Sequence, residues 1–236
     1  MFRITITIGK RQAQMKFLKS ILFLIVVLTA ACNSDNNKLT GNKNKKEGAD
    51  TVMKKTILFF GNSLTAGYGL EDSEDAFPAV IQRKIDSLQL PYKVINAGLS
   101  GETTSGGVNR INWLLKQQID IFVLELGAND GLRGIPVTET KKNLQSILDT
   151  VKSRYPNAKR ILLGMEVPPN MGGKYVAEFR GIFREVAEKN NIPFVPFMLE
   201  GVAGNVKLNL RDGIHPTAEG YRIVAENVWE VLKEEL

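Results

Sequence analysis

Histidine and cysteine are nearly missing from this chain: one of each stands in 236 residues. So few nitrogen and sulfur ligands argue against a zinc site, and a lone cysteine rules out a disulfide framework. Long apolar runs are scarce too. The main one, Ile21 to Leu28, is too short to be a comfortable membrane span. Excess positive charge is absent where nucleic-acid binding would need it. The formal net charge is +6, but residues 1–55 hold 11 Lys and Arg against 3 acids, which leaves 20 against 22 in residues 56–236. A basic face on the folded domain is therefore not expected, and neither is a nucleic-acid partner.

What is present at the front explains the charge. Arg3, Lys10, Arg11, Lys16 and Lys19 precede the apolar run, which ends in Thr29-Ala30-Ala31-Cys32. A positive segment, a short apolar segment and small residues at a cut form a signal-peptide pattern, and it is complete from Met15 as well as from Met1. Because the sole cysteine follows the small residues, the pattern resembles a bacterial lipoprotein box. Cys32 would then be the lipidated first residue of the mature chain, leaving the folded domain without any thiol. Residues 33–53 are rich in Asn, Lys, Gly and Ser and read as a flexible tether. The expected organisation is a signal peptide over 1–31, lipidated cysteine and tether over 32–53, and one domain over 54–236. The location implied is the cell envelope, lipid-anchored to a bacterial membrane.

From residue 54 on, strands and helices alternate. Short β-rich apolar runs lie at about 55–60, 92–96, 119–126, 159–165 and 192–197. Helical spacing appears over 76–89, where Phe77, Val80, Ile81, Ile85 and Leu88 share a stripe, and over 138–153, 174–190 and 217–234. Five nearly continuous apolar strands with helical crossovers predict an α/β fold: a five-stranded parallel sheet covered on both faces, in three layers. Such sheets bind and react at the carboxyl ends of their strands.

The polar motifs fall at those ends. Ser63 follows the first strand in Gly61-Asn62-Ser63-Leu64, and Ser100-Gly101-Glu102-Thr103 follows the second. Gly127-Ala128-Asn129-Asp130-Gly131 follows the third, and Asp212-Gly213-Ile214-His215-Pro216 follows the fifth. A serine hydroxyl is a poor nucleophile unless a base takes its proton and a carboxylate holds that base in one tautomer. His215 is the only candidate base. The Asp-x-x-His spacing lets one short loop aim Asp212 and His215 at the same point. Taken singly, Ser63 or Asp212 would read as a helix cap, and the glycine-rich segments as turns.

Together these four blocks resemble the SGNH hydrolases, also called the GDSL esterase/lipase family, over nearly all of 55–235. The segment Leu126–Gly134 looks closest to the branch of secreted arylesterases and the periplasmic multifunctional thioesterase/lysophospholipase, and Pro168–Gly172 looks like that branch's substrate-side loop. The resemblance implies a flavodoxin-like sheet order, Ser63 as nucleophile, His215 as general base and then acid, and Asp212 as its orienter. It further implies an oxyanion hole from the backbone N–H groups of Ser63 and Gly101 with the Asn129 side-chain amide. No metal or other cofactor is implied. The family's first block usually reads Gly-Asp-Ser, whereas here Asn62 stands in the middle. Asn keeps a short side chain able to bond its own loop, but it loses a negative charge near the imidazole.

The activity expected is serine acyl-ester hydrolysis through an acyl-enzyme, by a monomer acting on a small acyl-ester or lipid. Two alternatives are a carbohydrate acetyl esterase and a non-catalytic surface lipoprotein that binds a ligand. Flavin or nucleotide binding is disfavoured, because residues 61–67 lack a phosphate-binding fingerprint. Candidate pocket residues in the loops are Leu70, Ile135, Val137, Val167, Pro168 and Met171.

Overall fold

The computed structural model describes residues 53–236. The expected signal peptide, Cys32 and all of the tether but Met53 lie outside these residues. Five parallel strands form the sheet: β1 (Lys55–Gly61), β2 (Tyr92–Gly98), β3 (Ile121–Glu125), β4 (Lys159–Leu163) and β5 (Phe194–Val195), in the order β2-β1-β3-β4-β5. The chain steps outward from β1 to β2 and then returns to the other side of β1. Strand order thus reverses around the end of β1, which is the switch point where such sheets open a crevice.

The strands are apolar because both faces are covered. Ile57–Phe60, Ile121–Leu124 and Ile161–Leu163 are all buried. One layer of helices contains α2 (Phe77–Ser87) and α7 (Ala218–Leu232), which pack together. The other contains α3 (Thr104–Leu114), α5 (Val137–Arg154) and α6 (Gly173–Asn190), with α5 touching both neighbours. Two short helices, α1 (Ser63–Ala66) and α4 (Ala128–Leu132), follow β1 and β3 directly.

Differences from the sequence expectation at the fifth strand, α3 and the end of α2 each have a local reason. The fifth strand shrinks to two residues, since Pro193 and Pro196 flank it and have no N–H to give to a ladder. Helix α3 is absent from the sequence expectation, as Gly106 and Gly107 lower its intrinsic propensity. Packing explains Gly107: a Cβ there would sit 2.4 Å from Leu126 Cδ1. Leu88, placed on the α2 stripe, instead forms the C-cap and is exposed, while Phe77, Val80, Ile81 and Ile85 are buried as expected.

Candidate active site

Residue 62 opens a very tight turn. The Asn62 side chain caps α1 by accepting the Leu64 N–H at 3.0 Å, and Gly67 closes the helix in the left-handed region at φ 76°. This one turn of helix lies against the end of β2, so Gly98 has no room for a side chain: a Cβ would come 2.2 Å from the Ala66 nitrogen. Ser63 is the first residue of α1, and its hydroxyl leaves the turn at the carboxyl edge of the sheet.

The second half of the site comes from the loop before α7. Asp212 makes an Asx turn, its Oδ1 accepting the backbone N–H groups of Ile214 and His215 at 3.0 Å each. Its Oδ2 lies 2.7 Å from His215 Nδ1, and His215 Nε2 lies 2.9 Å from Ser63 Oγ. With the Nδ1 proton directed to the carboxylate, Nε2 offers a lone pair to the serine hydroxyl. Desolvation pushes the Asp212 carboxyl up, but the two N–H groups and the imidazole outweigh it and hold the group below its ordinary value. The carboxylate therefore stays ionised beside the ring. The arrangement can move a proton from Ser63 to His215 and stabilise the imidazolium that results.

Facing this chain are the other two motifs. Gly101 has φ +81° and no atom within 4 Å of where a Cβ would be, so its backbone borders open space. Asn129, on α4, spends one amide hydrogen on the Glu102 carbonyl at 3.0 Å, which fixes the amide and leaves its second hydrogen available. Among the described residues, the N–H groups of Ser63 and Gly101 donate to no protein acceptor. Ser63, Gly101, Asn129 and His215 all line one cavity of about 570 Å³. Its walls are largely apolar, with Met165, Val167, Pro168, Phe197 and Leu199 among them. Of the pocket residues expected from sequence, Val167 and Pro168 are there. Leu70, Val137 and Met171 pack against the hydrophobic core instead, and Ile135 turns its carbonyl to the Tyr175 hydroxyl. A larger polar depression of about 1010 Å³ along α5 lacks the only histidine.

Three further residues of the site are missing from the sequence reading. Tyr68 lies over the His215 ring with centroids 4.6 Å apart. Arg110 binds the Glu102 carboxylate and also donates to the carbonyls of Ala97 (3.0 Å) and Gly61 (3.4 Å), so it ties the Gly101 loop to the ends of β1 and β2. Glu125, the last residue of β3, is buried beneath the turn and accepts Asn62 N, Asn62 Nδ2, Thr65 N and Thr65 Oγ1. Burial pushes its carboxyl up to about 7, although those four donors pull the other way. The available signal for Glu125 is an acid closing an otherwise apolar strand.

Comparison with known proteins identifies the family. The model of the GDSL-like lipase/acylhydrolase family matches residues 59–223. The esterase TesA of Pseudomonas aeruginosa is 38% identical over 180 residues, 76% of this chain and 88% of that protein. The thioesterase 1/protease 1/lysophospholipase L1 of Escherichia coli K12 is 37% identical over 172 residues, 72% of this chain and 80% of that protein. Among solved structures, a psychrotrophic esterase EstA from Pseudoalteromonas, inhibited by monoethylphosphonate, superposes with a TM-score of 0.72 at 33% identity, covering 77% of this chain and 98% of that one.

Proposed function

The chain belongs to the GDSL-like lipase/acylhydrolase family and is a serine acyl-ester hydrolase, and from that premise we propose that Ser63 is its nucleophile. In the proposed reaction His215 Nε2 takes the hydroxyl proton as Ser63 Oγ attacks the ester carbonyl. Asp212 holds the ring and offsets the charge of the imidazolium. The N–H groups of Ser63 and Gly101 and the Asn129 amide receive the oxyanion, in a site where such donors act without reorganising. The imidazolium then protonates the leaving alcohol, and water hydrolyses the acyl-enzyme by the same groups in reverse.

The carrying observation is the Ser63–His215–Asp212 hydrogen-bond chain, at 2.9 and 2.7 Å, opening into an apolar cavity of about 570 Å³. Such walls suit an aliphatic or aromatic acyl chain better than the hydroxyl-rich face of an acetylated sugar. A fluorophosphonate probe tests the assignment. Covalent labelling that maps to Ser63 by peptide mass spectrometry is expected, and hydrolysis of p-nitrophenyl esters without labelling there would refute it. A chain-length series of those esters, run beside lysophospholipid and acetylated xylan, separates the substrate classes.

The proposed location follows from the leader alone: Cys32 carries the lipid and anchors the domain to a bacterial membrane through the tether. Cys32→Ser is expected to move the protein to the soluble fraction with esterase activity retained. Wild-type protein extracted from membranes without an acyl addition on Cys32 would refute the anchor.

A further inference from the structure

Directly beneath Ser63 lies a carboxylate that no step of this reaction uses. Glu125 is 1% exposed, and its two oxygens are shared out among donors on either side of the serine. Oε2 accepts Asn62 N at 3.0 Å, Thr65 N at 3.3 Å and Thr65 Oγ1 at 2.9 Å, while Oε1 accepts Asn62 Nδ2 at 2.8 Å. The Asn62 amide cannot turn over, because its Oδ1 is held by the Leu64 N–H at 3.0 Å. Its NH2 group is therefore committed to Glu125. Residues 62, 64 and 65 are thereby fixed, and Ser63 is threaded between them. Both Asn62 and Thr65 are fully buried, so no water replaces a bond that is lost.

We propose that Glu125 is a positioning residue for Ser63, and that Asn62 is its matched partner: an amide donor facing a carboxylate acceptor, whose pairing sets where the serine hydroxyl points. The proposal rests on Ser63 being the nucleophile. Complementarity at this contact is directional. In Glu125→Gln the new NH2 opposes the Asn62 NH2, donor against donor. In Asn62→Asp two carboxyls meet at hydrogen-bond distance and cannot both ionise, so the contact is matched only while one of them keeps a proton to donate and is lost as pH rises. Combining the changes restores the match: the amide introduced at position 125 can donate to one oxygen of the carboxylate introduced at position 62, whose other oxygen keeps the Leu64 N–H. The negative charge has then moved from one side of the contact to the other, with no bond missing between the two side chains.

The reciprocal exchange is the test, made in the full chain, with circular dichroism to confirm folding. Glu125→Gln is expected to lower both kcat and the rate of fluorophosphonate labelling at Ser63 by about tenfold or more, with KM nearly unchanged, whereas Asn62→Asp is expected to lose rate only as pH rises and the shared proton leaves. The double variant is expected to return to within about threefold of wild type, as each buried group regains its partner. A folded Glu125→Gln variant that labels at the wild-type rate would overturn the proposal, as would a double variant no better than Glu125→Gln. Should the single variants not fold, the double variant decides: near wild-type labelling supports the matched pair, and a folded but poorly labelled protein rejects it. A wild type that cleaves esters without labelling at Ser63 would sink the nucleophile assignment and this proposal with it. A labelled wild type with an unaffected Glu125→Gln variant would sink this proposal alone.

Discussion

On one side of the Ser63–His215 hydrogen bond, Asn62 and Thr65 are fully buried. On the other, Arg211, Asp212, Gly213 and Ile214 are exposed. The serine turn is held by bonds that cross the sheet, to a carboxylate 60 or more residues away in sequence. The histidine loop is held mostly by itself: Asp212 accepts from residues two and three positions on, Leu210 N–H donates to the His215 carbonyl at 2.7 Å, and Asn209 bridges to Pro216. One half of the site therefore exists only when the sheet is assembled, whereas the other is shaped by a short stretch of chain. Precision at Ser63 depends on tertiary packing, and precision at His215 depends on local turn chemistry.

Chemically the halves should weigh the same. Ser63→Ala and His215→Ala are each expected to lower kcat by at least ~10³–10⁴-fold with the fold intact, and the double variant should lose little more. Additive losses would mean that the two do not act as one unit. Asp212→Asn should retain more activity than either, since it disturbs mainly the tautomer. Next in size is Asn129→Ala, with a fall in kcat of about 10²–10³-fold and KM nearly constant. A change confined to KM would move Asn129 from the oxyanion to substrate binding.

Structurally the halves should respond very differently. In Gly98→Ala the new methyl meets backbone of α1, at 2.2 Å from Ala66 N and 2.6 Å from Ala66 Cα, so a loss of roughly 3 kcal/mol is expected. Gly213 sits in open space, and Gly213→Ala should cost only the ~1–2 kcal/mol of a left-handed φ, here +77°. Equal losses on chemical denaturation would erase the contrast.

The two carboxylates sharpen it further through pH. Glu125 has a folded value of about 7, above its ordinary 4.5, so the folded chain holds that proton more tightly than the unfolded one. Its contribution to stability is full below about 4.5 and is lost as pH rises through about 7, a change on the order of 3 kcal/mol that Glu125→Gln should remove. Asp212 has the opposite sign. Its folded value is depressed, so its contribution is present above the ordinary 3.8 and is lost only as pH falls through the lower folded value; being exposed, it should be the smallest effect here. Denaturation midpoints between pH 4 and 8 for the wild type and Glu125→Gln check this, and a difference that does not vary with pH would clear Glu125 of the role.

Legibility in the sequence follows the same divide. Asp212 and His215 can be read because their relation is a spacing of three, and Ser63, Gly101 and Asn129 because each follows an apolar strand in a small-residue block. Strand identity is equally plain, since a sheet covered on both faces demands continuous apolar runs. Glu125, Arg110 and Tyr68 acquire their roles only from partners brought close by folding; no local pattern marks Arg110 or Tyr68, and an acid at the end of an apolar strand flags Glu125 without saying what it holds. Helix α3 escapes because its glycines serve close packing rather than helix propensity. The cavity wall is half legible, as loop residues carry no periodicity to tell a lining side chain from a core one.

The solitary imidazole makes this protein a spectroscopic specimen of its own chemistry. With one histidine in 236 residues, engaged by Ser63 on one nitrogen and Asp212 on the other, any signal from isotope-labelled histidine comes from the site. No assignment by mutation is needed. Nitrogen shifts would report the tautomer directly. A phosphonate adduct on Ser63 would show whether the ring holds its second proton.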